Sequence, residues 1–214
     1  MQDPIRSREP KGDSVRLTRA LAHDLRASVH GLRMALEMMA GAPDGAGRYL
    51  GMARAEAAQL DRLVEQLGLW IRLLVGDVKV RPQRVDLGAL AAGRFECLAP
   101  LPPAPVQVLA DKALLVPALD GLSDLLKAYS LPCEQGGVRI HASGALELHG
   151  PAALLPVLRS VVESPVPDLA VAKGPAMWLV GPALAVAACR AFGGKARLEE
   201  REGRCALWLE FEQA

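Results

Sequence analysis

Two long amphipathic segments, separated by a short stretch rich in glycine and proline, most constrain how this chain can fold. In Ser14–Ala40, apolar residues recur every three or four positions, as they do on one face of a helix. The segment Arg48–Val75 has the same spacing. Because the intervening Gly41–Gly47 (GAPDGAG) is a short turn, the two helices are predicted to form an antiparallel hairpin, with Asp13 or Ser14 capping the first helix.

A hairpin of this kind leaves an apolar stripe without a partner. In the first helix the stripe comprises Leu21, Leu25, Leu32, Leu36 and Met39. Two copies of the chain would bury these stripes in a four-helix bundle. The sequence therefore predicts a homodimer.

The rest of the chain alternates between strand-like and helical segments, so the predicted fold class is α+β. Residues 1–13 are expected to be a flexible N-terminus, 14–76 the hairpin, 77–90 a linker and 91–214 an α/β sandwich with helices on one face of a mixed sheet. The predicted strands are Val106–Leu109, Val138–Ala142, Ala145–Leu148, Lys195–Glu199 and Ala206–Phe211, the last two joined by an EGR turn. The predicted helices are Ala113–Tyr129, Ala152–Val162 and Pro182–Phe192, with Pro182 at the start of the last and Gly193 at its end.

Composition excludes several classes of function. The net charge is +1 and only 4% of residues are aromatic, so neither a basic surface nor base-stacking platforms for nucleic acid are expected. No apolar run approaches the roughly 18 residues that span a bilayer, and the polar N-terminus lacks a signal core. We therefore expect a cytoplasmic protein with no nucleic-acid or membrane partner. Its four cysteines, none in a CxxC pair, are expected to be reduced thiols with no zinc site.

His23 is the residue of greatest chemical interest. At about 100° per residue it lies opposite the apolar stripe of the first helix, so its imidazole is expected to face solvent. Arg19, Arg26 and Arg33 share this face, and His30 lies two turns further along it. The alternative is an ordinary solvated helix face that carries a histidine without a role.

The sequence Ala22–Val29 (AHDLRASV), followed by a helical hairpin, resembles the dimerisation and phosphotransfer domain of bacterial sensor histidine kinases, whose signature runs roughly S-H-E-L-R-T-P-L. The second half of the chain is similar in pattern to the ATP-binding domain of those kinases. The resemblance implies that His23 is a phosphoacceptor, that Asp24 assists proton handling at its imidazole, and that Arg26 helps to orient it. A receiver domain of a response regulator would then dock on this face, with Arg19, Arg26 and Arg33 attracting its acidic pocket. His30 would line the docking surface beside Arg19 and Arg33; the alternative is that His30 is itself the acceptor.

Several positions depart from the family pattern. Leu125 stands where the kinases have an asparagine that helps to bind Mg-ATP, and an aliphatic side chain cannot ligate magnesium. The adenine-binding Asp-x-Gly-x-Gly loop is absent, and the glycine-rich phosphate lid is reduced to Gly181. Ala27 replaces the residue that positions water for dephosphorylation, and Ser28 replaces the proline that kinks the helix. The ATP-binding domain is therefore predicted to be degenerate.

These observations favour a histidine phosphotransferase of a two-component phosphorelay. His23 would carry a phosphoryl group between receiver aspartates, with an upstream hybrid kinase as the source and with no cofactor of its own, since the receiver supplies Mg²⁺. Two alternatives stay open. One is an active kinase fragment with a divergent ATP site, and the other is a non-catalytic regulator that binds a kinase or a receiver.

Overall fold

The two N-terminal helices form the predicted hairpin. The computed structural model describes residues 10–41, 46–130, 132–133, 135–168 and 175–214. Helices α1 (Pro10–Gly41) and α2 (Ala46–Leu74) pack along each other. The expected caps Asp13 and Ser14 are wrong, because α1 already begins at Pro10, where a missing backbone N–H costs no hydrogen bond. Residues 1–9 of the expected flexible N-terminus, and 42–45 of the GAPDGAG turn, lie outside the described residues.

The stretch expected to be a linker contains regular structure instead. Strand β1 (Gln83–Asp86) pairs antiparallel with β2 (Gln107–Ala110), and helix α3 (Leu87–Ala92) follows β1 directly. Asp86 ends the strand and caps the helix, since its Oδ1 accepts a hydrogen bond from Ala89 N at 3.2 Å. Leu87 is fully buried. This segment therefore belongs to the folded body of the second half.

The main sheet has four strands in the order β3-β4-β6-β5. Their bounds are β3 Gly137–Ile140, β4 Ala145–Pro151, β5 Lys195–Arg201 and β6 Arg204–Glu210. The expectation of a mixed sheet is wrong, because every strand pair in the described part of the chain is antiparallel; a single parallel bridge joins Leu98 to Val138. The predicted β5–β6 hairpin is confirmed. Both of its turn residues, Glu202 and Gly203, have positive φ (+47° and +76°), as a tight two-residue hairpin requires.

Helices cover one face of this sheet. They are α4 (Lys112–Ala128), α5 (Leu155–Glu163), which a 3₁₀ turn (Ala152–Leu154) precedes, and α6 (Met177–Ala191). The predicted start of the last helix at Pro182 is wrong: α6 begins five residues earlier at Met177, so Pro182 lies inside it. The predicted stop is confirmed by Gly193, whose φ of +80° ends the helix in the left-handed region.

A single apolar core joins the hairpin to the second half. Leu17 and Leu21 of α1, together with Leu63 and Trp70 of α2, are buried in the same cluster as the helices and strands of the sheet domain. Each half therefore buries apolar surface against the other, and this burial is the main contribution that stabilises their contact.

Helices α4 and α6 approach each other backbone to backbone at two glycines. A Cβ added to Gly121 would lie 2.4 Å from the Cα of Gly181, and one added to Gly181 would lie 2.5 Å from the Cα of Gly121. Real Cβ atoms do not come so close to other heavy atoms. The sequence pair Gly121/Gly181 thus permits a helix contact that any side chain at either position would open.

Two of the four cysteines are joined, so the expectation of four reduced thiols is wrong. Cys97, after α3, forms a disulfide with Cys133, after α4, while Cys189 and Cys205 are free and buried. Burial raises the pKa of the Cys189 thiol to about 12 and that of Cys205 to about 11. None of the helices in the described residues is both long and apolar enough to cross a membrane.

Replacing Gly181 with alanine should destabilise the fold, because its methyl group would push α4 and α6 apart. We expect the free energy of unfolding in urea to fall by about 1–3 kcal/mol, the usual cost of overpacking. Gly68→Ala is the matched control: Gly68 is also inside a helix, but apart from the adjacent residues and backbone of its own helix, no described atom lies within 4 Å of the added Cβ. That variant should gain about 0.5–1 kcal/mol, and equal effects of the two substitutions would contradict the close contact.

The cysteines should differ in their reaction with a thiol reagent. In native protein purified without reductant, neither free thiol should react at neutral pH, since both are buried and protonated. Unfolding without reductant should expose two thiols per chain, and unfolding after reduction should expose four. Four reactive thiols in unfolded, unreduced protein would show that the Cys97–Cys133 bond does not form.

Candidate functional site

His23 stands on the solvent side of α1, as the helical spacing predicts. Its side chain is 82% exposed, whereas Leu21, on the other side of the helix, is buried in the core. A partner protein can therefore reach the imidazole without any rearrangement of the chain.

Asp24, the next residue, lies in a different environment. Its side chain is only 13% exposed and its two oxygens have separate neighbours. Oδ1 lies 3.4 Å from His23 Nδ1, and Oδ2 accepts a hydrogen bond from the backbone N–H of Met177 at 3.1 Å. Met177 is the first residue of α6, and the preceding Ala176 provides no side-chain cap. Asp24 therefore supplies, from another helix, the carboxylate that a helix N-terminus favours.

The position of Asp24 also determines which imidazole nitrogen is available. A proton on Nδ1 is favoured because that nitrogen faces the carboxylate. The neutral ring then carries its lone pair on Nε2, on the far side of the ring. The arrangement can present Nε2 of His23 to solvent as a nucleophile.

The other site residues predicted on α1 lie along its exposed surface. Arg19, Arg26 and His30 are exposed and make no hydrogen bond or ion pair with a described residue. Arg33 forms an exposed ion pair with Glu37 one turn later, with Nε 2.7 Å from Oε1. Arg26 thus does not contact His23 in this structure, and the roles of these residues toward a partner stay predictions.

A groove of about 410 Å³ lies between α2, α4 and α6. Gln66 of α2 reaches into the contact between these helices: it is 5% exposed, and its Nε2 donates to the carbonyl oxygen of Pro117 at 3.3 Å. At the rim of the groove, Arg62 Nε lies 3.4 Å from Asp124 Oδ2. The Leu125 side chain, 1% exposed, is part of the core.

Sequence reasoning missed two parts of this region. Gln66 interrupts the apolar stripe of α2 close to Leu63 and Trp70, and a polar residue inside such a stripe was the available signal. Nothing in the sequence pointed to Met177, because its contribution is a backbone N–H. Among the described residues, no group of three or more histidine, cysteine or acidic side chains is placed to hold a metal ion.

Comparison with known proteins agrees with this architecture. Residues 14–69 match the His Kinase A (phospho-acceptor) domain. The chain has a histidine-kinase-like fold. It is similar in structure to the histidine kinase AdeS of Acinetobacter baumannii, with a TM-score of 0.55 and 15% identity over 89% of this chain and 98% of that one. His23 and Asp24 lie within the matched residues.

Two other solved structures are less similar. Full-length ShkA in complex with AMPPNP has a TM-score of 0.48 and 17% identity over 93% of this chain and 46% of that chain. A bacterial phosphotransferase has a TM-score of 0.42 and 12% identity, with 94% of this chain and 96% of that chain covered. No curated protein sequence matches the chain. The chain therefore contains a phospho-acceptor domain like those of the histidine kinases of two-component signalling.

Proposed function

We propose that this chain is a histidine phosphotransferase of a phosphorelay, which moves phosphoryl groups between receiver aspartates through His23 and does not bind ATP. The observation that carries the proposal is the combination of an exposed His23 on a phospho-acceptor helix with closely packed helices α4 and α6 in the second half. A phospho-acceptor domain needs a phosphoryl donor. On this proposal the donor is another protein rather than a nucleotide.

Residues of the groove between α2, α4 and α6 do not fit an ATP–magnesium site. The backbone contact at Gly121 and Gly181 leaves no gap between the two helices at that point. Gln66 enters from α2 and packs against the same contact, its Oε1 3.2 Å from the position of a Gly121 Cβ. Leu125 offers no oxygen ligand and is buried.

The proposed reaction is an in-line exchange at phosphorus. Nε2 of His23 attacks the phosphorus of a receiver aspartyl phosphate, the P–O bond to the aspartate breaks with its electron pair, and the carboxylate leaves. The proton on Nδ1 remains on the ring beside the Asp24 carboxylate, because a carboxylic acid is a stronger acid than an imidazolium. The reverse reaction with a second receiver discharges the histidine. Positioning supplies most of the rate, and the receiver's Mg²⁺ compensates the charge of the phosphoryl oxygens.

We further propose that the relay works as a cytoplasmic homodimer. Domains of this family typically dimerise. Apolar residues separated by seven or fourteen positions remain exposed on both helices, namely Val29 and Leu36 on α1 and Leu50, Val64 and Ile71 on α2. A seven-residue apolar repeat is the pattern of helices that pack in bundles. A second copy of the hairpin would cover this seam and leave the His23 face open.

Replacing His23 with glutamine should abolish transfer. Wild-type protein incubated with a ³²P-phosphorylated receiver should take up label, and the label should be lost in acid, as for a phosphoramidate. His23→Gln should take up none, while His30→Gln should be labelled to at least half the wild-type extent. The removal of His23 tests chemistry rather than folding, because its side chain is exposed and makes no core contact.

The same assay separates the alternatives. Incubation with γ-labelled ATP and magnesium should leave the protein unlabelled. Label on His23 from ATP would establish the active kinase instead. Tight receiver binding that survives His23→Gln, without any label from a phosphorylated receiver, would establish the non-catalytic regulator.

A charge placed in the apolar seam should separate the dimer. Val64 is 56% exposed in the single chain, so Val64→Glu should leave the fold of each chain intact. Light scattering coupled to size exclusion should report about twice 22.7 kDa for the wild type and 22.7 kDa for the variant. Glu65→Gln, an exposed neighbour of Val64, should remain dimeric. A monomeric wild type at micromolar concentration would refute the dimer.

A further inference from the structure

We propose that Asp24 is a positioning residue that latches the second half of the molecule to the phospho-acceptor helix, and that a phosphoryl group on His23 loosens this latch. The inference rests on the proposed phosphorylation of His23. It assigns to Asp24 a second partner, the N-terminus of α6, in addition to the imidazole. The state of the histidine would then be transmitted to a helix 153 residues away in the chain.

The latch consists of the Asp24 carboxylate, whose two oxygens contact two different groups. Oδ2 is 3.1 Å from Met177 N and Oδ1 is 3.4 Å from His23 Nδ1. The next two N–H groups of the α6 start have backbone partners, since Trp178 N donates to Pro175 and Leu179 N to Ala176. Among the described residues, the acceptor of Met177 N is Asp24. An anion at this point also interacts favourably with the helix dipole.

The chemistry at His23 changes the charge on the imidazole ring that contacts this carboxylate. Before transfer, the neutral ring holds its proton on Nδ1 and Asp24 is an anion. When Nε2 forms its bond to phosphorus, the ring becomes cationic and keeps its Nδ1 proton, because a carboxylic acid is a stronger acid than an imidazolium. Nδ1–H then donates a charge-assisted hydrogen bond to Oδ1. Shortening the 3.4 Å contact to about 2.7–2.9 Å, the usual length of such a bond, draws the carboxylate away from Met177 N–H.

The effect is confined to the start of α6. Leu17 and Leu21 of α1, with Leu63 and Trp70 of α2, continue to hold the two halves together in the shared core. Loosening therefore exposes the first turn of α6 and does not separate the domains. The first turn carries Trp178, whose ring lies 5.6 Å from that of Tyr129, the residue that caps the end of α4, so the change reaches the groove beside α2.

Amide hydrogen exchange, followed by NMR, tests the latch at one atom. Asp24→Ala removes the acceptor, so exchange of the Met177 amide should accelerate about fivefold, the usual effect of losing a helix cap. Asp24→Asn keeps an oxygen acceptor without the charge, so it should accelerate exchange about two- to fivefold. The amides of Trp178 and Leu179 are internal references, because their acceptors are backbone carbonyls.

The phosphorylated state can be prepared with phosphoramidate, which transfers its phosphoryl group to histidine with loss of ammonia and needs no receiver. Phosphorylated wild type should show the same two- to fivefold acceleration at Met177 as Asp24→Asn. In His23→Gln, treatment with phosphoramidate should not change the exchange rate of the Met177 amide. In Asp24→Asn, treatment should add nothing to the acceleration that the substitution itself causes.

An unchanged Met177 amide in Asp24→Ala would overturn the latch. So would unchanged exchange in wild type whose His23 is shown by mass spectrometry to be phosphorylated. Failure of the receiver assay, with these exchange results as expected, would instead reject the proposed relay and leave the latch in place.

Discussion

The contact between Gly121 and Gly181 is the constraint on which the rest of the second half depends. Because no side chain separates α4 from α6 at this point, the two helices pack at backbone distance over the sheet. That approach brings both helices against α2, where Gln66 donates to the Pro117 carbonyl. It also carries the N-terminus of α6 to Asp24.

The phospho-acceptor helix shows how two adjacent residues can have different tasks. His23 and Asp24 are about 100° apart around α1, so one faces solvent while the other faces the second half of the molecule. Their side chains still meet at 3.4 Å. A partner protein can therefore reach the His23 imidazole but not the Asp24 carboxylate that supports it. The step of about 100° between adjacent residues of a helix is enough to place the two side chains in these different surroundings.

Local parts of the architecture could be predicted from the sequence, while long-range contacts could not. The 3.6-residue period gave α1, α2 and the outward direction of His23, and turn chemistry gave the β5–β6 hairpin and the end of α6 at Gly193. Strand direction, the order β3-β4-β6-β5, the Cys97–Cys133 pair and the bond from Met177 to Asp24 join residues far apart in the chain. Periodicity carries no information about such pairings. The start of α6 was misplaced for a related reason, since its cap comes from another helix.

Because of the Cys97–Cys133 disulfide, the stability of the second half depends on redox conditions, whereas that of the hairpin does not. All four cysteines follow residue 76, so the hairpin has no thiol chemistry, whereas the second half has a cross-link that closes a segment containing β2 and α4. Closing a loop of that size typically contributes about 2–4 kcal/mol. The rigidity of the sheet domain therefore depends on the thiol–disulfide reduction potential of its compartment. The helix that carries His23 contains no cysteine, so its stability does not depend directly on that potential. Reducing conditions would soften the half that contains Met177, the hydrogen-bond donor to Asp24, and leave the helix of the nucleophile itself untouched.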